Sequence, residues 1–359
     1  TVAVSAVVTI LWAVVGYSLS FGKGPEGLND WIGGFEAFLL NGVRPDTAHA
    51  LAPGLPEYLW IAYQLTFAII TPALIAGAFA ERFKFSALLL FAALWHLLVY
   101  APICHWVWGG GFLGAQGVLD FAGGAVVHVN SGVAGLVCAL FLGPRKNWGR
   151  ENMAPHNLVL TLIGASLLLV GWLGFNAGSA WAADAIASVA MLNTILAPMA
   201  GALGWMIVEW IERKKPTLLG LLSGLIAGLV GVTPAAGLVT PGSALLIGLI
   251  CGPVCYAASV WLKHKLKYDD SLDAFGIHGV GGMVGALLTG VFASAAVNGV
   301  AEGATVLKQA IGLLWTIGWS AALTYAILWI CKLTTGLRVE SDEETEGLDL
   351  AIHGETLHG

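Results

Sequence analysis

The sequence predicts an all-α integral membrane protein that spans the bilayer about ten times. Its 359 residues are 57% hydrophobic and only 11% charged, with a mean hydropathy of +0.81, whereas an ordinary soluble domain carries roughly 25% charged residues. Apolar stretches of about 20 residues, the length that a hydrocarbon core of roughly 30 Å requires, recur along the whole chain. These observations argue strongly against a soluble protein.

Ten such stretches define the predicted spans, and none contains Asp, Glu, Lys or Arg. Apolar runs without charge are a strong sequence signal for transmembrane helices. The predicted spans are residues 1–20, 58–80, 85–108, 121–142, 158–183, 185–208, 216–236, 243–262, 274–297 and 309–331. We interpret residues 1–333 as one transmembrane domain and residues 334–359 as a C-terminal tail.

The basic residues predict the orientation of these spans. Of the 16 Lys and Arg residues, all but Lys23, Arg44 and Lys308 lie in even-numbered connections or after the last span. Because cytoplasmic loops are enriched in Lys and Arg, the even connections and the C-terminus are predicted to be cytoplasmic. The first span opens at Thr1 without Met or the basic start of a signal peptide, so we expect the natural chain to begin upstream.

The cysteines predict neither a disulfide framework nor a cofactor. All five fall within or at the end of spans, where a free cysteine behaves as a small apolar residue. Cys251 and Cys255 are one helical turn apart and form a conceivable metal pair, but no other ligand type lies near them in the sequence. We therefore expect no metal and no cofactor.

Two glycine-rich segments resemble each other and predict an internal repeat. Asp120 precedes His128 at the start of one span, and Asp273 precedes His278 at the start of another. With the predicted orientation, the first span runs inward and the second outward, so the repeat is inverted, a design in which transporters place the substrate path between the halves. In both, glycines follow the histidine at the fourth and seventh positions: Gly132, Gly135, Gly282 and Gly285.

The two repeated histidines are the main candidates for function. A histidine inside a span is costly unless it has a partner or lines a cavity, although simple packing histidines are the alternative. At about 1.5 Å per residue, His128 lies roughly 12 Å from the outer surface and His278 roughly 8 Å from the inner surface, about 10 Å apart in depth within a core of roughly 30 Å. The uncertainty of the span limits allows contact. Two neutral imidazoles suit a small polar molecule and can pass a proton.

A second group of candidates lies towards the predicted outer face. Aromatic faces attract cations and a hydroxyl oxygen accepts N–H groups, so this group could collect a small cation; ordinary interface aromatics are the alternative. Its members are Tyr63, Phe67, Trp108, Trp172, Phe175 and Ser179. Asp120 is predicted to cap the helix that follows it.

The sequence resembles the ammonium transporter family (Amt/Mep/Rh), specifically its bacterial Amt branch. The matching motifs run from the second span to the tail in family order. They are AFAER (78–82), WGGG (108–111), DFAGGAVVH (120–128), GWLGFNAGS (171–179), GLIAGLVGVTP (224–234), DAFGIHG (273–279), GLD (347–349) and HGE (353–355).

The resemblance implies a fold of eleven helices, two inverted five-helix halves and a last helix, assembled as a homotrimer in membrane lipid with one pore per subunit. Residues Thr1–Phe21 resemble the family's second helix, so we expect the first to be missing from this sequence. The resemblance also implies a PII-type regulatory protein as cytoplasmic partner, with the tail 334–359 as regulatory segment.

The resemblance assigns roles to the candidate residues. His128 and His278 match the twin pore histidines, and Phe67 and Phe175 the gate above them. The outer recruitment site matches Trp108 and Ser179 together with Phe67. Trp172, beside the histidines, and Asp120 match supporting positions.

The expected function is transport of ammonium or ammonia, with methylammonium as an analogue. Ammonium is recruited outside, deprotonated, and passes the gate and the histidines as ammonia, because a bare cation near the bilayer centre is costly. The alternatives are an ammonium sensor or scaffold that signals through a PII-type protein, and a metal-dependent membrane enzyme, which lacks the further ligands expected of a catalytic metal. We expect neither an enzyme nor a nucleic-acid partner.

Overall fold

The computed structural model describes residues 1–151 and 153–356, and most of them are helical. Within these residues ten helices are long and apolar enough to cross a membrane, the number predicted. They are α1 (Val2–Phe21), α2 (Glu57–Phe79), α3 (Phe85–Ala115), α4 (Gly124–Leu142), α5 (Leu158–Gly178), α6 (Ala185–Arg213), α7 (Leu218–Ala235), α8 (Pro241–Leu266), α9 (Phe275–Phe292) and α10 (Val306–Thr334). Two short helices follow in the tail, α11 (Ser341–Glu346) and α12 (Leu348–His353). Below, "outer" and "inner" refer to the predicted orientation.

Several helix limits differ from the predicted spans. The helix α5 ends at Gly178 rather than at residue 183, because the chain turns at Trp181, whose φ is 57°. The side chain of Asp184 then accepts a hydrogen bond from the N–H of Ala187 and starts α6. An apolar turn between two apolar helices is invisible to hydropathy alone.

Side-chain caps decide where several other helices begin. Each cap is a Thr or Asn whose oxygen accepts a backbone N–H from the first turn, which satisfies a donor that has no partner within the helix. The caps are Asn157 before α5, Thr217 before α7, Thr240 before α8 and Thr305 before α10. Polar residues at the ends of apolar runs therefore set the lengths of these helices.

Glycines allow the helices of the second half to pack closely. A Cβ atom on Gly224 would lie 2.5 Å from Cβ of Trp205 and 2.7 Å from the carbonyl oxygen of Gly201. A Cβ on Gly228 would lie 2.7 Å from Cα of Pro198. The helix α7 thus presses against α6 through its small residues, as expected for helix association in lipid.

The repeated glycines bring α4 and α9 together. A Cβ atom on Gly132 would collide with the backbone of Gly279, the residue that follows His278. In the other half, a Cβ on Gly282 would lie 3.1 Å from Cβ of His128. Each half therefore supplies a glycine, four positions after its own histidine, against which the other half's histidine segment packs.

Buried aspartates begin both of these helices. Asp120 accepts hydrogen bonds from four backbone N–H groups at 2.5–2.9 Å. The corresponding residue in the other half is Asp270, which accepts from the N–H groups of Ala274 and Phe275 at 3.0 and 2.7 Å. The prediction that Asp273 is the counterpart of Asp120 in the internal repeat is wrong. Asp273 has a φ of 58° and forms an ion pair with Lys263 instead of capping the helix. Asp270 precedes His278 by the same eight positions as Asp120 precedes His128.

A buried charge network joins three of the inner connections. Asp269 accepts two hydrogen bonds from the guanidinium of Arg145 and one from its N–H, at 2.7–2.9 Å. The guanidinium of Arg82, also buried, donates to the carbonyl of Asp269 at 2.5 Å and to Ser271 at 2.8 Å. Burial raises the pKa of Asp269, but the hydrogen bonds and the charge of Arg145 outweigh it, so that the pKa lies below its ordinary value.

The tail folds back on the same inner surface. The N–H of Lys84 donates to the carbonyl of Leu337 at 2.7 Å, and the N–H of Val339 donates to the carbonyl of Arg82 at 3.2 Å. Glu344 accepts from the guanidinium of Arg338 at 2.8 Å and from the N–H of Lys146 at 2.7 Å. The described part of the tail, up to residue 356, therefore docks on the α2–α3 and α4–α5 connections; residues 357–359 lie outside the described part.

Candidate functional site

The two repeated histidines are in direct contact. Their Nδ1 atoms are 3.2 Å apart, and the rings stack with centroids at 5.2 Å and an angle of 20°. Each lies in a π-helical turn, Gly124–Val129 in α4 and Phe275–Gly279 in α9. The depths estimated from the sequence allowed the two histidines to meet but did not require it. They meet because α4 and α9 pack closely at Gly132 and Gly282.

The contact constrains the protonation of the pair. A hydrogen bond between two Nδ1 atoms needs a proton on one of them and a lone pair on the other. In the neutral pair the two rings therefore hold opposite tautomers, and one Nε2 is an acceptor while the other carries a proton. Nε2 of His128 is buried and has no hydrogen-bond partner among the described residues. The pair can thus accept a proton on one ring and share it with the other.

Trp172 orients the first of these rings. Its indole stacks on His128 with centroids at 5.3 Å and an angle of 18°. The indole N–H donates to Oγ1 of Thr233 at 2.8 Å, and this hydroxyl in turn donates to the carbonyl of Leu229 at 2.7 Å. Thr233 was not among the predicted site residues, although it lies inside the matching segment 224–234; its hydroxyl in an apolar span was the available signal.

Two phenylalanines lie on the outer side of the histidines. The rings of Phe67 on α2 and Phe175 on α5 are 4.4 Å apart at an angle of 31°. The ring of Phe175 is also 6.1 Å from that of His128. Phe67 is buried, with 1% of its surface exposed. The two rings therefore pack against each other, and that of Phe175 also lies next to the imidazole of His128.

Trp108 and Ser179 lie beside this pair of rings. The indole of Trp108 meets Phe67 edge to face at 5.5 Å, and its N–H donates to the carbonyl of Asp120 at 2.7 Å. Oγ of Ser179 donates to the carbonyl of Phe175 at 3.0 Å. The structure thus gathers all eight residues to which the resemblance assigns roles into one continuous group, at whose outer end aromatic faces and a hydroxyl oxygen lie together.

A cavity lies on the inner side of the histidines. Its volume is about 360 Å³, and its lining is apolar except for a few groups that include the imidazole of His278. Because α2 runs inward, the small residues near its end form one wall. The lining includes Thr1, Ala73, Gly77, Leu272, Ala274 and His278. Aromatic rings, imidazoles and an inner cavity therefore follow one another across the protein.

The described residues contain no group of three or more His, Cys, Asp or Glu side chains arranged to hold a metal ion. Cys251 and Cys255 are both buried free cysteines. The Sγ atom of Cys251 occupies the space that a side chain at Gly231 would need, and the thiol of Cys255 donates a weak hydrogen bond to the carbonyl of Ile277. Both therefore have ordinary packing roles in these contacts.

Comparison with known proteins identifies the group to which the chain belongs. The sequence model described as "Ammonium Transporter Family" matches residues 1–357. An ammonium transporter of Bacillus subtilis (strain 168) is 48% identical over 98% of this chain and 87% of that protein, and one of Aquifex aeolicus (strain VF5) is 48% identical over 98% and 82%.

Solved structures share the fold. The crystal structure of Saccharomyces cerevisiae Mep2 superposes with a TM-score of 0.85 at 38% identity, covering 94% of this chain and 81% of that one. A structure titled "Sensor Amt Protein" gives a TM-score of 0.88 at 30% identity, covering 98% and 88%. With the family model spanning nearly the whole sequence and the relatives covered over most of their length, this multi-pass membrane protein belongs to the ammonium transporter family and is a transporter, not an enzyme.

Proposed function

We propose that this transporter recruits ammonium at its outer face, removes a proton, and conducts ammonia past the histidine pair. The observation that carries this proposal is the contact of His128 with His278 behind the rings of Phe67 and Phe175. The aromatic rings and imidazoles offer a neutral molecule hydrogen-bonding partners in an otherwise apolar path, whereas the carboxylate of Asp120 is already occupied by four backbone N–H groups and is not free to neutralise a cation.

Recruitment depends on the groups at the outer end of the candidate site. The faces of Trp108 and Phe67 can attract a cation, and the oxygen of Ser179 can accept one of its N–H groups. Phe67 belongs both to this recruitment site and to the gate that it forms with Phe175. An ammonium ion held here stands directly outside the ring pair that separates it from the imidazoles.

Deprotonation follows from the cost of moving a charge inwards. A cation at the bilayer centre is expensive, so ammonium loses its proton before ammonia enters the apolar path, and a neutral ring nitrogen of the histidine pair is the acceptor of that proton. Ammonia continues past the imidazoles to the inner cavity. The proton moves to a ring nitrogen of the pair, which can pass it across the Nδ1–Nδ1 hydrogen bond and release it on the inner side.

A current measurement tests this mechanism. In proteoliposomes given a pulse of ammonium, we expect a sustained inward current, because both the proton and ammonia cross. Liposomes without protein should give none. Ammonia uptake that proceeds without any sustained current would show that only the neutral molecule crosses, and the proton path through the histidines would be wrong.

We further propose that the protein is a homotrimer in the plasma (inner) membrane, surrounded by lipid, with a cytoplasmic C-terminus. The distribution of Lys and Arg supports this orientation. Labelling of a cysteine introduced at Asp342 by a membrane-impermeant thiol reagent tests it, since the described native cysteines are buried. Labelling from outside intact cells would contradict the orientation.

The inner surface also supports a regulatory partner. The docked tail and the α2–α3 and α4–α5 connections form one surface, and we propose that a PII-type protein binds there. The sensor alternative is not favoured, because the curated relatives that are 48% identical are named ammonium transporters.

A further inference from the structure

Tyr63, an outer candidate to which the resemblance assigns no role, contacts three of the residues that have one. Its hydroxyl donates to the carbonyl of Phe175 at 2.6 Å and lies 3.0 Å from Oγ of Ser179. The carbonyl of Gly174 is 3.5 Å away. Its ring meets that of Phe67, one turn further along α2, edge to face at 5.1 Å. One side chain therefore touches both gate residues and the outer hydroxyl.

The hydrogen count of this network is informative. Tyr63 and Ser179 have one hydroxyl hydrogen each. The hydrogen of Tyr63 goes to the carbonyl of Phe175, and that of Ser179 goes to the same carbonyl or to the phenolic oxygen. Both hydrogens are used inside the network, so Ser179 is left with lone pairs only. A hydroxyl in this state accepts an N–H group but does not donate to a competitor such as water.

The backbone leaves room for this contact at one place. A Cβ atom on Gly178 would lie 2.8 Å from Cε2 of Tyr63 and 3.0 Å from its hydroxyl oxygen. Any larger residue at position 178 would push the phenol away from the end of α5. The missing side chain of Gly178 thus lets a residue of α2 reach the last turn of α5.

We propose that the hydroxyl of Tyr63 is a clasp that ties α2 to the end of α5, sets the spacing of the gate rings and holds Ser179 as a pure acceptor. Phe67 and Phe175 sit on these two helices, so their separation depends on what joins the helices at this level. Tyr63 is in this sense a positioning residue. The inference rests on the proposed recruitment site and gate.

The test compares the transport kinetics of Tyr63→Phe with those of the wild type. The substitution keeps the ring and its contact with Phe67 and removes only the hydroxyl. Loss of one hydrogen bond in the network should raise the KM for methylammonium roughly three- to tenfold, with the maximal rate within about twofold, because ground-state binding is what weakens. Tyr58→Phe is the matched control: that hydroxyl also donates to a backbone carbonyl, Val43, but at the outer end of α2.

A double variant separates the clasp from the site that it serves. Ser179→Ala should raise the KM by itself, and Tyr63→Phe should raise the KM less in this background than in the wild type, because the part of its effect that acts through Ser179 is already lost while the bond to the carbonyl of Phe175 remains. Gly178→Ala should reproduce the effect of Tyr63→Phe by displacing the ring. If Ser179→Ala leaves the KM unchanged, the recruitment site is wrong. If it raises the KM while Tyr63→Phe does not, or if their effects multiply in the double variant, the clasp is wrong.

Discussion

At the scale of single residues, the site depends on groups that are buried and nevertheless polar. His128 is 1% exposed and Ser179 7% exposed, and a span pays for such groups only when they find partners. Each does so within the site: the first histidine bonds to the second, and the serine bonds to the backbone and to a phenol. Burial with mutual satisfaction distinguishes these residues from the interface aromatics of the same spans.

Replacing either pore histidine should affect conduction far more than folding. In His128→Ala or His278→Ala the remaining ring loses its hydrogen-bond partner and the relay of the proton ends. We expect the rate of methylammonium uptake, or the preference for ammonium over methylammonium, to change by about tenfold or more. This factor corresponds to the loss of one buried hydrogen bond to a protonated ring. The melting temperature in detergent should change little.

The matched control is His264→Ala. That imidazole lies near the inner end of α8 and stacks on Trp148 of the α4–α5 connection, with 6.4 Å between the ring centroids. His264 is not one of the candidate site residues. Uptake that is indistinguishable among the wild type, the control and both pore variants would make the twin-histidine assignment wrong and leave structural packing as their role.

At the scale of helices, the starts of α4 and α9 position the site. Asp120 satisfies four of the N–H groups that a helix leaves unpaired at its first turn, and its own carbonyl holds the indole of Trp108. The cap is 7% exposed, so α4 begins inside the protein and not at the membrane surface. The sequence-based depth estimate assumed that the helix begins at the membrane surface, and it therefore placed the two histidines too far apart in depth.

Removing this cap should therefore destabilise the protein more than removing an exposed one. For Asp120→Ala we expect a loss of about 2 kcal/mol or more, at or above the upper end for single caps, because four bonds to a buried carboxylate are lost. Asp184→Ala, which removes an exposed cap with one such bond to Ala187, should cost about 0.5–1 kcal/mol. Thermal unfolding in detergent measures both. Equal melting temperatures for the two variants would contradict the role given to Asp120.

The sequence predicted the helices well and their interruptions poorly. Apolar runs between charges locate the spans because the bilayer imposes a length on every one of them. Turns such as that at Trp181 and the true counterpart of Asp120 depend on backbone angles and hydrogen bonds, which hydropathy does not report. Asp270 precedes His278 by the same eight residues that separate Asp120 from His128, and this spacing is present in the sequence. Asp273 was chosen instead because it lies closer to the histidine.

At the scale of the whole molecule, the tail and the inner connections form one surface. Glu344 is the link: its carboxylate lies against Arg338, with 6% of the glutamate side chain exposed, and against the N–H of Lys146. Exposed ion pairs are worth only about 0–1 kcal/mol each, but this one is shielded and joined by backbone hydrogen bonds from Lys84 and Val339. The tail is thereby fastened to the α2–α3 and α4–α5 connections.

Removal of Glu340–Gly359 should leave an inserted and assembled protein whose uptake is reduced or unregulated and which no longer binds a PII-type partner. The point variant Glu344→Ala should weaken the same functions, because it releases the tail at its link. Asp342→Asn, which changes an exposed acid of the same short helix α11, is the control. Methylammonium uptake and capture of a PII-type protein from a nitrogen-replete lysate are the measurements. Normal transport and capture by the truncated protein would show that the tail is a bystander.

The sequence alone determined the number of spans, because the bilayer imposes an apolar length on each of them. It also predicted their orientation from the positions of Lys and Arg, and the candidate site residues from the cost of a histidine in lipid and from the resemblance to the family. The tertiary structure decided which of these residues meet. His128 and His278, or Tyr63 and Ser179, are more than a hundred positions apart, and their contacts exist because glycines let helices from both halves approach. Such close packing depends on the shapes of two surfaces at once, which no single stretch of sequence contains.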